Sequence, residues 1–384
     1  MNKNLDKIVY DMTSDSFRIV MDTLLELEEE CCDIKDIRFD NKNNKKKIAI
    51  VYDSEGWAFC NIAREIKKYL SKYYDIYIMS HDIFSDNPVK MFILAKEFDL
   101  MHCLWRGEIA NIESKYCKEY IKSMGFSFEE FYKEYIENAN ITTTVCDHKF
   151  LNQESFETTR NFLKYVKSYI TSSKILFDIY SKLNIKEPAR VINDGIDIER
   201  FHPSNLERLK KDNLEKRIIK IGWAGNSEFV DSEGDNDLKG VKKIIRPVII
   251  ELQKEGYKIE EKFADRNTGY IPYEEMPNYY NSIDIYVCAS KTEGTPIPIL
   301  EAMASGVAIV STNVGIVEEA LGEKQKEFIL KKRNKEELKN KLKKILDNLA
   351  IVEELSKENL EKVKDWTWEK ECEKYREFFD KNLK

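Results

Sequence analysis

The sequence predicts an α/β fold made of two doubly wound domains in tandem, facing each other across a cleft. Three observations support this prediction. The chain has 384 residues, which is too long for one ordinary core and suits two domains of roughly 150 to 200 residues. Apolar segments of strand length alternate with helical segments, as in parallel sheets. A polar connector after Pro203 separates two such series.

The composition of the chain excludes several functional classes. Hydrophobic residues make up 42% of the chain and charged residues 34%, so we expect packed cores rather than disorder. The net charge of −7 argues against a nucleic-acid partner. No apolar run approaches the roughly 18 to 20 residues that span a bilayer, and the polar start lacks the apolar core of a secretory signal. We therefore expect a cytoplasmic protein without a transmembrane segment.

The cysteines, histidines and acidic residues do not indicate a metal site. Eight cysteines include the adjacent pair Cys31 and Cys32 but no Cys-x-x-Cys spacing, and the chain has four histidines. These residues do not form a zinc pattern at the usual spacings. The acidic stretch from Asp231 to Asp237 could attract a cation, but its polar surroundings favour a solvated loop. We expect reduced thiols and no bound metal.

Residues 1–45 are predicted to be a helical extension followed by a linker. Apolar residues recur at helical spacing between Ser16 and Cys31, and a polar run from Asn41 to Lys47 follows. Peripheral membrane contact through the lysines of Asn43–Lys47, or through aromatic helices in the first domain, is an alternative to simple solubility.

The first domain is predicted to span residues 46–205. Its first strand, Lys47–Tyr52, leads through a tight turn at Asp53–Gly56 into a helix at Ala58–Leu70. Two helical stretches between Ser114 and Glu137 carry aromatic side chains, for which packing on the sheet is favoured over an acceptor-binding surface. The other predicted elements are the strands Tyr74–Met79, Asp99–Leu104, Ile141–Val145 and Arg190–Ile192 and the helix Arg160–Tyr169.

The second domain is predicted to span residues 206–364, and residues 365–384 follow as a charged helical tail. Its predicted strands are Ile218–Trp223, Ile259–Phe263, Ile283–Ala289, Ala308–Ser311 and Glu327–Leu330. Ligands of doubly wound folds bind at the carboxyl ends of the strands. We therefore expect the binding site in the cleft between the two domains.

The most informative segment, Ala289–Gly306, joins an apolar strand to a helix. A glycine and two prolines fix the turn, and the free N–H groups at the helix start near Pro298 suit a phosphate. Glu293 precedes the turn and Glu301 lies about one turn into the helix, so both carboxylates can accept hydrogen bonds from one ligand. The segment predicts a site for a hydroxyl-rich phosphorylated ligand, although either glutamate alone is more often a surface carboxylate.

This segment resembles the donor site of the retaining glycosyltransferases of family 4, which are group 1 glycosyl transferases with the GT-B fold. That site has two glutamates eight positions apart around a turn with glycine and proline, which Glu293, Gly294, Pro298 and Glu301 match. The resemblance implies that both domains are Rossmann-like.

Two other segments extend the resemblance to residues 47–384. Val191–Pro203 resembles the family's signature at the end of the first domain. Trp366–Lys370 resembles the start of its final helix. The resemblance therefore also implies that the C-terminal helix crosses back to the first domain.

The resemblance implies a role for each matching residue of the second domain. Glu301 would bind the ribose hydroxyls of a nucleotide, and Glu293 would hold a hydroxyl of the transferred sugar. Lys239 matches the family lysine that neutralises the leaving diphosphate, although a surface lysine at a helix start is an alternative. Four turn residues would line the diphosphate and the sugar: Gly294, Thr295, Pro296 and Ile297.

The sequence departs from the family pattern in both domains. The family commonly has an arginine after the first strand's glycine, whereas this chain has Gly225 and Asn226. Arg266 or the backbone would then have to supply the phosphate contact. In the first domain Cys146 stands where the family has a histidine, and the candidate catalytic residues are Asp147 and His148.

Two further candidates lie in the first domain. Gly56 occupies the position of the family's glycine-rich loop, and His102 ends a strand at a family position nearer the acceptor. For both His102 and His148, a structural histidine with satisfied ring nitrogens is an even alternative.

The resemblance implies a metal-independent transferase with no cofactor, whose donor substrate is a nucleotide diphosphate sugar. The sugar would pass, with retention of anomeric configuration, to a hydroxyl of a glycan, a lipid-linked acceptor or a protein. Domain closure would bring Asp147 or His148 toward the sugar. A nucleotide-sugar epimerase of the same architecture is one alternative. A non-catalytic sugar-nucleotide-binding scaffold, suggested by Asn226 and Cys146, is another.

Overall fold

The computed structural model describes residues 45–54, 56–84, 87–152, 156–229 and 237–383. The predicted N-terminal helix, with Cys31 and Cys32, and the acidic stretch before Asp237 lie outside these residues. The six cysteines that the structure describes are free thiols.

The first sheet has five parallel strands in the order β2-β1-β3-β4-β5. The strands are β1 Lys47–Tyr52, β2 Asp75–Ser80, β3 Leu100–Cys103, β4 Ile141–Val145 and β5 Ser168–Thr171. The sequence analysis was wrong about β5, which it placed partly in a helix. Tyr169, Ile170 and Thr171 favour a strand, but periodicity cannot separate so short a run from the preceding helix. The predicted strand Arg190–Ile192 contributes only one bridge, from Val191 to Thr171.

The second sheet also has five parallel strands, in the order β10-β9-β8-β6-β7. The strands are β6 Ile219–Gly225, β7 Ile259–Asp265, β8 Ile285–Cys288, β9 Ala308–Thr312 and β10 Ile329–Leu330. All five predicted strands are present, with shifted ends.

Helices connect the strands and cover both faces of each sheet. The α-helices are α1 Ala58–Leu70, α2 Pro88–Leu94, α3 Gly107–Ala110, α4 Lys115–Ser123, α5 Phe128–Phe131, α6 Phe156–Tyr165, α7 Lys174–Ser181, α8 Lys211–Leu214, α9 Arg246–Lys254, α10 Met276–Tyr280, α11 Ile297–Ala304, α12 Val317–Ala320, α13 Glu323–Lys326, α14 Lys335–Leu346, α15 Ala350–Lys362 and α16 Trp368–Asn382. Short 3-10 or π-helical turns occupy His81–Phe84, Ala95–Glu97, Asn111–Glu113, Tyr132–Ile136, Leu206–Leu209, Val241–Ile245, Tyr273–Glu275 and Val363–Trp366.

Alternate residues of β1 show how each sheet is enclosed. Ala49 and Val51 belong to the hydrophobic cluster on one face of the first sheet. Ile48 and Ile50 belong to a different cluster on the other face. Because successive side chains of a strand point to opposite faces, both faces are buried, which confirms the doubly wound architecture.

The C-terminal helix α16 packs on the first domain, as the resemblance implied. Its residues Trp368, Tyr375 and Phe379 lie in the same cluster as Ile48 of β1 and Ile66 of α1. The chain therefore returns from the second domain to the first at its end.

The carboxyl ends of the two sheets face each other. Trp57, which follows β1, lies against Arg266, which follows β7, with the guanidinium 4.3 Å from the ring centroid. Lys149, which follows β4, lies 5.5 Å from the ring of Phe229, which follows β6. The cleft between the sheets is thus lined by the ends of strands from both domains.

Candidate active site

The turn between β8 and α11 has the geometry that its sequence predicts. β8 ends at Cys288, and α11 begins at Ile297 with Pro298 in its first turn. Proline suits this position because the first N–H groups of a helix have no partner inside the helix. No side chain caps the start of α11. The sequence analysis expected free N–H groups here, but those of Ile297 and Ile299 donate to the carbonyls of Thr295 and Pro296, each at 2.9 Å.

Lys239 and Glu293 form an ion pair at this turn. Nζ of Lys239 lies 2.5 Å from Oε1 of Glu293, and the side chains are 23% and 18% exposed. Burial lowers the pKa of Lys239, but the charge of Glu293 and its hydrogen bond raise it by more, so the net shift is upward. Lys239 therefore carries a positive charge at neutral pH, where it could stabilise a developing anion.

The loop that carries Lys239 is held against the end of β8. Gly240 has a left-handed φ of 74°, and a Cβ there would lie 2.5 Å from the carbonyl oxygen of Ala289. Nε of Arg333 donates to that oxygen at 2.8 Å, and its Nη2 donates to the carbonyl of Asp237 at 2.7 Å. These contacts fix Lys239 beside the turn that contains Glu293.

Glu301 is buried on α11, with 4% of its surface exposed. Tyr280 donates a hydrogen bond from Oη to Oε2 of Glu301 at 2.7 Å. Burial raises the pKa of Glu301 to about 7, against the opposing effects of Tyr280 and of the charge of Arg200. A carboxylate in this position can accept hydrogen bonds from a pair of ligand hydroxyls when it is ionised.

The turn also contacts the first domain directly. A Cβ on Gly294 would lie 2.1 Å from the carbonyl oxygen of Cys146, so only glycine allows this approach. Thr295 donates from Oγ1 to the carbonyl of Ser172 at 2.9 Å and accepts from the N–H of Asp194 at 3.2 Å. Of the other turn residues, Pro296 is buried and Ile297 is half-buried. The predicted donor turn is thus part of the contact between the domains.

His148 is the first-domain candidate that reaches this turn. Its side chain lies within hydrogen-bond reach of the backbone of Glu293. Burial lowers the pKa of His148 more than the carboxylates of Asp147 and Glu293 raise it. A neutral imidazole from the first domain therefore lies beside the backbone of Glu293 in the second.

Asp147 is bound to an enclosed arginine instead. Its Oδ1 accepts from Nη2 of Arg106 at 2.7 Å, and from the N–H of Lys149 at 2.9 Å. Arg106 is 0% exposed and its guanidinium lies 5.4 Å from the rings of Phe150 and Phe162. Burial alone would raise the pKa of Asp147, but Arg106 lowers it by more. These bonds hold Asp147 against Arg106, a partner that the sequence analysis did not anticipate. The Asp147 side chain stays 30% exposed, and its catalytic part remains a prediction.

His102 is also structural, which corrects its assignment as a candidate site residue. The side chain is fully buried, and its two ring nitrogens lie 3.0 Å from the Oγ1 atoms of Thr142 and Thr144. Its ring packs against Tyr375 and Phe379 of α16. Burial lowers its pKa to about 3, so the ring is neutral. The side chain is therefore enclosed between β4 and α16.

The remaining candidates of the second domain lie together at the ends of β6 and β7. The N–H of Arg266 donates to the carbonyl of Gly225 at 2.9 Å. Asn226 accepts at Oδ1 from the side chain of Asn267 at 2.7 Å. Arg266 is exposed and reaches across the cleft to the first domain, where Gly56 is also exposed beside Trp57.

Three residues to which the sequence analysis gave no function make hydrogen bonds in this region. Arg106 anchors Asp147, and Tyr280 binds Glu301, but no sequence pattern identifies either. Asp194 is buried, burial raises its pKa to about 7, and its N–H binds Thr295. The motif around Asn193 and Gly195 could have indicated Asp194 as a domain contact.

Comparisons with known proteins agree with this fold. Residues 251–362 match the family model described as glycosyl transferases group 1, and this range contains Glu293 and Glu301. The chain is 27% identical over 172 residues to an alpha-monoglucosyldiacylglycerol synthase of Streptococcus pneumoniae, covering 40% of this chain and 38% of that protein. It is 26% identical over 194 residues to the sulfoquinovosyl transferase SQD2 of Arabidopsis thaliana, covering 47% and 37%. The matches thus span less than two fifths of these relatives' lengths.

Solved structures share the fold over more of the chain. HepE of Anabaena in complex with UDP and glucose has a TM-score of 0.58 at 14% identity, covering 87% of this chain and 99% of that one. The catalytic domain of starch synthase IV of Arabidopsis thaliana, bound to ADP and acarbose, has a TM-score of 0.61 at 11% identity, covering 88% and 99%.

These neighbours are GT-B glycosyltransferases, and the fold of this chain is GT-B. Together, the family match and the relatives support a group 1 glycosyltransferase domain in this chain. They give no support to an epimerase.

Among the residues that the structure describes, no helix has the length and apolar character to cross a membrane. Within the same residues, no group of three or more histidine, cysteine, aspartate or glutamate side chains is arranged to hold a metal ion.

Proposed function

We propose that this protein transfers a sugar from a nucleotide diphosphate sugar to a hydroxyl acceptor. The observation that carries the proposal is the ion pair of Lys239 with Glu293, which has His148 of the first domain beside the backbone of Glu293. Glu301 is buried on the helix that follows the same turn. A nucleotide diphosphate sugar has a diphosphate between two sugar rings. The diphosphate requires a cation and a helix start, and the hydroxyls of the two rings require carboxylates as hydrogen-bond acceptors.

Each group has a part in the proposed reaction. The bond between the anomeric carbon and the diphosphate breaks as the acceptor oxygen bonds to that carbon, and the proton of the acceptor hydroxyl passes to an oxygen of the leaving diphosphate. Lys239 and the start of α11 stabilise the negative charge that grows on the leaving phosphate. Glu301 holds the ribose hydroxyls, and Glu293 holds a hydroxyl of the transferred sugar. His148 lies on the acceptor side of the turn.

Donor binding must rearrange the ion pair between Lys239 and Glu293. In the structure each group neutralises the other at 2.5 Å. A diphosphate would attract Lys239, and a sugar hydroxyl would take its place at Glu293. The ion pair keeps both partly exposed charges compensated until the donor binds.

We further propose that the protein belongs to family 4, with retention of anomeric configuration by attack on the same face as the leaving group. We propose that no metal or cofactor is needed, because Lys239 supplies the positive charge at the leaving group. The acceptor would be a glycan, a lipid-linked sugar or a protein. The similarity to an alpha-monoglucosyldiacylglycerol synthase, whose name gives a glycolipid as its product, favours a lipid acceptor.

The test is turnover with a panel of nucleotide sugars in the presence of a chelator. NMR of the product's anomeric proton should show the configuration of the donor. An inverted anomer would contradict retention, and activity that returns only with a divalent cation would contradict metal independence. A donor that binds without any hydrolysis or transfer would favour the non-catalytic scaffold, which Asn226 and Cys146 suggest.

A further inference from the structure

Tyr280, the last residue of α10, places a hydroxyl group inside the core of the second domain. Its side chain is fully buried. The ring centroid lies 6.0 Å from that of Phe201 and 6.0 Å from that of Tyr286, with interplanar angles of 68° and 55°. The ring of Tyr279 lies 5.1 Å away. These contacts fix the ring of Tyr280 and therefore also the position of its hydroxyl group.

The hydroxyl group of Tyr280 binds one oxygen of the Glu301 carboxylate. Oη donates its single proton to Oε2 at 2.7 Å. Among the residues that the structure describes, no other side chain donates a hydrogen bond to this carboxylate. A carboxylate has about four acceptor sites on its two oxygens. Tyr280 therefore occupies one site of Oε2 from the core, and Oε1 is left to accept from a ligand.

Three other titratable groups lie near Glu301. Arg200 places a positive charge there, and its guanidinium lies 4.3 Å from the ring centroid of Tyr273. Tyr273 and Tyr279 are neutral phenols, because burial raises their pKa values. Of the two effects that lower the pKa of Glu301, the hydrogen bond from Tyr280 is larger than the charge of Arg200. Burial outweighs both and raises this pKa to about 7.

The protonation state of Glu301 decides which hydrogen bonds its carboxyl group can make. The ionised group only accepts hydrogen bonds, whereas the protonated group uses one oxygen as a donor. Two neighbouring hydroxyls can both donate to the ionised form. The phenol of Tyr280 stays protonated at neutral pH, because burial raises its pKa well above the usual value of 10. Tyr280 is therefore a constant donor that favours the form of Glu301 able to bind a diol.

We propose that Tyr280 is a positioning residue for the donor, whose hydroxyl holds Oε2 of Glu301 so that Oε1 receives the ribose hydroxyls of a nucleotide sugar. This assignment rests on the proposed function, because it takes the ribose to lie against Glu301. Tyr280 acts through the carboxylate and does not touch the donor. Its removal should weaken donor binding more at acidic than at alkaline pH, and should leave bond breaking at Lys239 unchanged.

The test compares Tyr280→Phe with the wild type by calorimetric titration at pH 6 and pH 8.5. The probes are UDP-glucose, ADP-glucose and GDP-mannose, whose diphosphates keep their charge over this range. The variant removes a hydrogen bond to the ionised carboxylate, so the pKa of Glu301 rises further. For a probe that the wild type binds, we expect about tenfold weaker binding at pH 6. At pH 8.5 the loss should be less than about twofold, because the carboxyl group is mostly ionised in both proteins.

The 2′-deoxy form of the same nucleotide sugar gives a second readout. Without the 2′-hydroxyl, one of the two bonds to Glu301 is absent, so Tyr280→Phe should lose less affinity for this probe than for the ribose form. In donor hydrolysis without acceptor, KM should rise and kcat should stay at the wild-type value, because Lys239 is unaltered. A purely structural effect would weaken both probes equally at both pH values.

Tyr286→Phe is the matched control. Tyr286 is a buried tyrosine of the same core, whose Oη lies 3.4 Å from the carbonyl oxygen of Ala224. Its substitution should leave the donor affinity and its pH dependence unchanged. Tyr280→Phe added to Glu301→Gln should cause no pH-dependent loss, because an amide does not ionise. Urea unfolding at pH 6 shows whether each compared variant is folded.

Three results would overturn the assignment. They are wild-type affinity of Tyr280→Phe at pH 6, an equal loss at pH 6 and pH 8.5, and an equal loss for the ribose and 2′-deoxy probes. Donor hydrolysis by the wild type separates these failures from failure of the proposed function. Wild-type hydrolysis together with any of the three results refutes the part of Tyr280 alone. If the wild type neither binds nor hydrolyses a donor, the transferase proposal fails and the assignment falls with it.

Discussion

The turn after β8 and the loop after β4 lie opposite each other, and each places a carboxylate beside a cation. In the second domain, Glu293 and Lys239 stay partly exposed toward the cleft. In the first domain, Asp147 binds Arg106, which is fully buried between aromatic rings. Similar ion pairs thus leave one cation available to a ligand and enclose the other.

The difference in exposure between the two cations predicts which ion pair contributes to ligand binding and which contributes to stability. Removing one partner of a buried pair leaves an uncompensated charge and is strongly destabilising. Removing one partner of a pair that faces a cleft leaves a charge that water or a ligand can compensate. We therefore expect removal of the carboxylate beside the buried Arg106 to destabilise the protein, and substitutions of the cleft pair to weaken ligand binding.

The largest expected effect is that of Asp147→Ala. The variant leaves the buried guanidinium of Arg106 without its anion, which costs about 3–5 kcal/mol of unfolding free energy. Urea unfolding measures this loss. Asp147→Asn is the control, because its amide oxygen still accepts from Arg106 and should recover part of the stability. If Asp147→Ala is as stable as the wild type but inactive, Asp147 is catalytic and the comparison above is wrong.

Glu301→Gln is expected to stabilise the protein at alkaline pH while weakening donor binding. Burial raises the pKa of Glu301 to about 7 from an ordinary value of 4.5. With the folded pKa raised, its contribution to stability is full below about pH 4.5 and is lost as the pH rises through about 7. The glutamine variant avoids this loss, so at pH 8 it should exceed the wild type by up to about 3 kcal/mol.

Urea unfolding at pH 5 and pH 8 measures the stability of Glu301→Gln, and calorimetric titration with the donor measures its donor affinity. Glu318→Gln, at an exposed carboxylate of the same domain, is the control and should change neither quantity. Equal stability of Glu301→Gln and the wild type at pH 8 would show that the carboxylate is not desolvated.

His102→Gln is expected to lower stability by about 1–3 kcal/mol at neutral pH, the cost of disrupting its buried bonds to Thr142 and Thr144. The steady-state constants of the folded enzyme should not change. The pKa of His102 is lowered to about 3 from 6.5, so the wild type loses stability as the pH falls between these values. The difference between wild type and variant should therefore shrink on acidification. A selective loss of acceptor affinity at full stability would instead restore His102 to the site.

The smallest expected effect is that of Trp57→Ala. It removes the contact between the Trp57 ring and Arg266, worth about 0.5–1 kcal/mol at an exposed site. Donor affinity should fall a few-fold because the cleft closes less readily, and the unfolding free energy should hardly change. Tyr116→Ala, an exposed aromatic of α4 far from this contact, is the control. A donor affinity unchanged by Trp57→Ala would show that this contact does not assist closure.

Much of the fold could be predicted because buried parallel strands leave a clear apolar pattern. Ile48–Val51 and Ala308–Val310 are examples, with every side chain buried. β5 could not be predicted, because only two residues separate its start from a helix that ends at Tyr165. Its strand character comes from pairing with β4, which is a tertiary contact.

The site could be predicted where one short segment contains its residues. Glu293, Gly294 and Glu301 lie within nine residues, so their chemistry is visible in the sequence. Asp147 is hydrogen-bonded to Arg106, and His102 is hydrogen-bonded to Thr142. In each case the partner is about 40 residues away in the sequence. Local patterns do not show such pairings, and for this reason the sequence could not separate a catalytic aspartate from a structural one.

The most direct test of the central claim is the rate of donor hydrolysis without acceptor in Lys239→Ala. We predict a rate about 10²- to 10³-fold below that of the wild type, the usual cost of removing one group that stabilises a developing anion. The unfolding free energy should be nearly unchanged, and Lys242→Ala, at a neighbouring exposed lysine paired with Glu228, should hydrolyse the donor normally. Hydrolysis by Lys239→Ala at the wild-type rate, or a loss no larger than that of Lys242→Ala, would contradict the assignment of the cleft ion pair to the reaction.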